Sequence, residues 1–168
     1  MNTETKPKKE SKLDIDSNYD LLLVSTLSPA LRWVLTLPIA FIAMFAVQVG
    51  FGTLVKLINS NLPMGEIVNT IMLSTVMLAK YAIFVIAATS TAPLTRNKKF
   101  IAAIAAAFIG ALLCVGGTAI SLSLSVSIDK TMLISTFVAS ILGLLLGVWK
   151  VRSTTSKPLT EENKASQL

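Results

Sequence analysis

The chain has 168 residues, 53% of them hydrophobic and 14% charged, with fifteen Lys and Arg against nine Asp and Glu, a net charge of +6 and no histidine. Soluble domains intersperse about 25% charge among their apolar residues, whereas here the charges gather outside four long apolar runs and mean hydropathy is +0.71. These values exclude an ordinary soluble domain, and the lack of histidine leaves His-based acid/base catalysis, His-ligated haem and ordinary zinc catalysis without support.

Residues 1–20 are rich in Lys, Glu, Ser, Thr and Asn. Such a composition cannot bury enough surface to offset chain entropy, so a disordered tail is expected there. It does not read as a secretory signal, because the apolar stretch begins late and no small-residue cleavage site follows it. Leu21 to Leu27 is a short apolar patch suited to the headgroup plane. Ser28 and Pro29 then read as an N-cap and a first helical residue.

A bilayer core about 30 Å thick needs about 20 helical residues. The first run, about Trp33 to Val55, meets that length. Pro38 removes a backbone donor, so a bend near Val34 to Pro38 is expected. Gln48, Gly50 and Gly52 lie toward its other end. Local packing accounts for them, and the alternative is a helix broken at Pro38 and Gly50 around a substrate. Residues 56–66, with Asn59, Asn61, Pro63 and Gly65, read as a turn.

The second run, about Ile67 to Pro93, carries Lys80 near its centre, about 15 Å from either interface in a straight helix. A central lysine costs about 2.5 to 3.5 kcal/mol on insertion scales, which the Ile, Leu, Val and Phe of the run offset. No Asp or Glu lies inside any of the four runs, so its partners by depth are Gln48, Cys114 and Ser140. Two readings stand: Lys80 faces a water-filled path or an anionic ligand, or its long side chain snorkels to water.

Arg96, Lys98 and Lys99 precede the third run, about Phe100 to Leu124, and Asp129 and Lys130 precede the fourth, about Thr131 to Trp149. The alternating patch Ser121 to Ser127 reads as a fraying helix end beside a wet crevice. Ala102, Ala106, Gly110, Cys114 and Thr118 recur every four residues, as do Ser135, Ala139, Gly143 and Gly147. Small side chains let helix backbones approach in lipid, so these two helices are expected to pair as a tight antiparallel hairpin. The alternative use of Gly143 and Gly147 is dimerisation. Residues 153–168 read as a second disordered tail, leaving 21–152 as the membrane domain.

Twelve of the fifteen Lys and Arg fall before the first run, between the second and third, and after the fourth; Lys56 and Lys130 alone occupy the other two connections. Cytoplasmic segments retain positive charge, so both termini are expected in the cytoplasm, and Trp33 and Trp149 fall at that interface. The expected fold is therefore an all-α integral membrane protein, four transmembrane helices in an antiparallel bundle. The positive charges are topological and interleaved with Glu and Asp, giving weak attraction to lipid headgroups and no nucleic-acid role.

No phosphate-binding loop or nucleophile elbow is present, and one cysteine cannot form an intramolecular disulfide. The expectation is a non-enzymatic protein without cofactor or metal, acting through helix contacts as a subunit, regulator or scaffold in the lipid bilayer of a bacterial inner membrane. It would work as a homo-oligomer or within a larger membrane complex. The alternative is a small oligomeric transporter or channel in which Lys80 binds an anion or gates a path.

Overall fold

In a computed structural model of the chain, which describes residues 15–16, 18–62, 65–123 and 130–156, every regular element is helical apart from an isolated bridge between Ile15 and Leu21. A short α1 (Leu22–Ser25) precedes four long helices: α2 (Pro29–Asn61), α3 (Glu66–Thr91), α4 (Lys99–Ser123) and α5 (Lys130–Thr155). A 3-10 turn, Arg96–Lys98, leads into α4. All four long helices are long and apolar enough to cross a membrane.

Two helices, α2 and α5, outrun the apolar runs that announce them. Pro29 starts α2, where its missing N–H costs nothing, and the helix continues to Asn61. Hydropathy marks where lipid ends, but backbone bonds propagate into the polar layer without apolar side chains. Thus α5 passes Trp149 to Thr155, and Arg96 donates to the carbonyls of Thr154 (2.8 Å) and Thr155 (3.3 Å) at its end. Residues 153–155 therefore belong to the last turn of α5, and Ser156 N–H donates to Arg152 O (3.0 Å). Pro38 lies within a single uninterrupted α2, as do Gly50 and Gly52, so the broken-helix alternative does not hold.

α3 is the centre of the assembly. It packs against α2, α4 and, most extensively, α5, while α2 has no comparably large contact with α4 or α5. Phe84 and Val85 are fully buried on α3, beside Ala103 and Ala106 of α4 and Leu144 of α5. Phe41 of α2 meets Phe84 edge-on, with centroids 5.6 Å apart.

The small-residue stripes divide their work differently from the expected hairpin. Gly110 supports contact between α4 and α5, since a Cβ there would come within 2.5 Å of Leu144 Cδ2. Gly143 and Gly147 turn instead toward α3: a Cβ at Gly143 would strike the Leu78 carbonyl, and one at Gly147 would lie 2.8 Å from Val85 Cβ. Ser135 joins them, its hydroxyl 2.8 Å from that of Ser74 on α3. Every-four spacing identified a close-packed face, but the partner was decided by where α3 runs. The two glycines are buried within the chain, which removes them from any dimer face.

The first tail also ends earlier than its composition implies. Tyr19 is 4% exposed and sits with the core cluster, Leu21 N–H donates to Ser90 O (3.0 Å), and Asp20 is held by two cations. These contacts fix the segment before α1 against the C-terminus of α3. The tails at 1–14 and 157–168, and Leu124 to Asp129 with part of the serine patch, lie outside the described residues. Ser121 and Ser123 belong to the last turn of α4.

Candidate functional site: a cavity around Lys80

Lys80 is half-buried on α3, and its ammonium donates to Gln48 Oε1 of α2 at 3.3 Å. The nitrogen also lies 5.4 Å from the centroid of the Tyr81 ring. The amide nitrogen of Gln48 lies over Gly52, where a Cβ would come within 3.3 Å of Nε2. A neutral amide is thus the near partner of the lysine, and the charge has no carboxylate beside it among the described ion pairs.

A cavity of about 290 Å³ opens beside Lys80 between α3, α4 and α5. Its polar walls are Lys80, Tyr81, Cys114, Thr118, Thr136 and Ser140, and its apolar walls include Met77, Leu133 and Phe137. The lining also reaches Ser121, near the end of α4. The structure therefore brings together the four polar residues singled out by depth: Lys80, Cys114 and Ser140 line the space, and Gln48 reaches the ammonium from the neighbouring helix. Thr118, placed by sequence on the packing stripe, faces the same cavity. Ala102 and Ala106 instead border a second, apolar groove with Trp33, Leu37 and Ile109, and Ala139 is buried on α5.

A second polar centre lies at the C-terminal end of α3 and was not legible in the sequence. Asp20 Oδ1 accepts from Arg32 Nη2 (2.5 Å) and Lys99 Nζ (2.6 Å). The helix ends there with unpaired carbonyls, and these cations satisfy them: Lys99 donates to Thr89 O (3.0 Å) and Ala92 O (2.6 Å), and Arg32 Nε donates to Thr91 O (3.2 Å). Cations at a helix C-terminus also oppose its dipole. Burial alone would raise the Asp20 carboxyl, but the hydrogen bonds from Arg32 and Lys99 and their charges outweigh it and hold the group below the usual carboxylate range. Burial pushes the neighbouring Tyr19 phenol up to about 12. One carboxylate thereby ties the starts of α2 and α4 to the end of α3.

By sequence alone Arg32 and Lys99 read as topological charge. Their partner is 12 residues from one and 79 from the other, separations at which no local pattern joins them. No protein-family model, curated protein or solved structure matches the chain.

Proposed function

We propose that this chain is an integral protein of a bacterial inner membrane, an antiparallel four-helix bundle with both termini in the cytoplasm. It has no enzymatic activity and binds a small anion at Lys80 as part of a small transport or channel unit assembled from several copies. The observation that carries the reading is the convergence of Lys80, Gln48, Cys114 and Ser140 on one intramembrane cavity. An ionisable group within a span is expensive and characteristically faces a cavity or a partner. With the Gln48 amide and the Tyr81 ring beside it and no carboxylate paired with it among the described residues, the ammonium has room for a negative charge. The cavity lining extends toward Ser121 and Leu133, away from the Asp20 end, so the anion enters from the side opposite the termini. The orientation is supported by the distribution of Lys and Arg among the connections.

Purified protein in liposomes tests the reading. Anion flux above protein-free vesicles, lost in Lys80→Met at equal incorporation, is the expected result; no flux, or flux unchanged by the substitution, contradicts it. A second reading, a subunit or scaffold within a larger complex, is favoured by the position of α2. That helix leans mainly on α3 and leaves Val34, Ile42, Phe45 and Leu57 exposed. Co-purification with a defined complex in mild detergent, without flux, would select it.

A further inference from the structure

The cavity walls carry more information than their polarity, because most of their hydrogens are already committed. Thr118 Oγ1 donates to Cys114 O (2.8 Å), Ser121 Oγ to Gly117 O (2.9 Å), Thr136 Oγ1 to Met132 O (2.8 Å) and Ser140 Oγ to Thr136 O (2.7 Å). Each is the back-bond that Ser and Thr make to the preceding turn of a helix. Tyr81 and Cys114 complete the polar part of the lining. A hydroxyl that spends its hydrogen on its own backbone offers a neighbour only lone pairs. Lys80, by contrast, has three N–H donors, of which Gln48 engages one.

The site is therefore asymmetric. At one place it donates, from a cation; across α4 and α5 it accepts, from a set of hydroxyl oxygens. A simple anion such as chloride or an unsubstituted carboxylate satisfies Lys80 and then turns electron-rich atoms toward other electron-rich atoms. A cation meets the oxygens but is repelled by the ammonium. The ligand that complements both has an anionic acceptor at one end and an N–H or O–H donor at the other, with a small apolar part against Met77, Leu133 and Phe137. At about 290 Å³ the space is at the small end of ligand pockets, suiting a compact molecule.

Building on the assignment of Lys80 as the anion site, we propose that the ligand is a small monocarboxylate bearing a hydrogen-bond donor, an amino acid or hydroxy acid. Its carboxylate sits on Lys80, and its ammonium or hydroxyl donates to the oxygens of Thr118, Thr136 and Ser140. Donor-bearing and donor-free ligands of equal charge then differ in affinity by about tenfold, the value of one well-made hydrogen bond in a desolvated site.

Titration of the full chain in nanodiscs, with binding read by calorimetry, tests this using alanine, lactate, propionate and lactamide as probes. Lactate, of the same charge as propionate, is expected to bind about tenfold more tightly than propionate, alanine, whose ammonium donates to the same oxygens, also more tightly than propionate, and lactamide, lacking the carboxylate, not to bind. Thr136→Val should bring the preferred ligand to the propionate level while leaving propionate unchanged, and Thr136→Ser, which keeps the oxygen, should restore the preference. Equal affinity for propionate and both donor-bearing acids would overturn the ligand class while leaving Lys80 an anion site. Binding unaltered in a folded Lys80→Met variant, or no binding of any carboxylate, would overturn that site assignment and the ligand class with it.

Discussion

Replacing Asp20 by asparagine is the sharpest perturbation of the bundle, because it removes one charge while keeping the shape and one acceptor oxygen. The side chain of Lys99 is fully buried and that of Arg32 is 8% exposed, and both donate to the same Oδ1. A hydrogen bond to a charged group contributes about 1.5–3 kcal/mol, and removing one partner of a buried ion pair costs about 3–5 kcal/mol. The Thr89, Thr91 and Ala92 carbonyls keep part of the solvation of the two cations. The loss for Asp20→Asn is therefore about 3 kcal/mol, and Asp20→Ala, which removes the acceptor as well, should reach about 5 kcal/mol. Unfolding in mixed micelles, followed by Trp33 and Trp149 fluorescence, measures both. The double variant Asp20→Asn with Lys99→Met removes the stranded ammonium and should recover part of the loss. A change below about 0.5 kcal/mol for Asp20→Asn, the scale of an exposed ion pair, would refute the argument that these charges are buried together.

The same centre sets a pH dependence. The Asp20 pKa is lower folded than unfolded, so its stabilising contribution is complete above the unfolded value near 4 and is lost as pH falls through the folded one. Unfolding midpoints should not change through Asp20 between pH 5 and 8 but should fall below about pH 4, and Asp20→Asn should flatten that fall. On the α3–α5 contact, Gly143→Ala drives a methyl onto the Leu78 carbonyl and should cost at least about 1–3 kcal/mol of monomer stability, whereas Gly116→Ala, with nothing within 4 Å, should be neutral or stabilising. Thermal unfolding of the two variants in one detergent compares them, and an intact monomer with weakened oligomers in Gly143→Ala would contradict the internal placement. Gln48→Leu removes the near partner of Lys80 and should weaken protein stability while leaving carboxylate binding dependent on Lys80; titration and unfolding of that variant separate the two effects.

The four spans were legible because hydropathy and length are properties of contiguous residues. So was Lys80, since an ammonium within an apolar run stands out without any knowledge of neighbours, and matching depth along helices was enough to nominate Gln48, Cys114 and Ser140. Two things were not local. The partner of the Gly143 and Gly147 face depends on which helix occupies the centre, and spacing within one helix carries no record of that. The Asp20 centre joins a supposed tail, the start of α2 and the turn before α4; composition averaged over residues 1–20 diluted Tyr19 and Asp20 among lysines and glutamates. The ends of α2 and the C-terminus of α5 extend four to six residues past their apolar runs, because such runs measure the hydrocarbon layer and not the hydrogen-bonded helix, whereas α3 stops at Thr91, two residues short of Pro93.

In the proposed orientation, with both termini on the cytoplasmic face, water reaches Lys80 from the opposite face. A Thr118→Cys variant in a Cys114→Ser background, reconstituted in vesicles of known orientation, places one thiol on the cavity wall. A membrane-impermeant, positively charged thiol reagent should label it from the face opposite Met1 and Leu168, and addition of lactate should slow the reaction. Labelling solely from the face that carries the termini, or no labelling from either face in a folded protein, would contradict the claim.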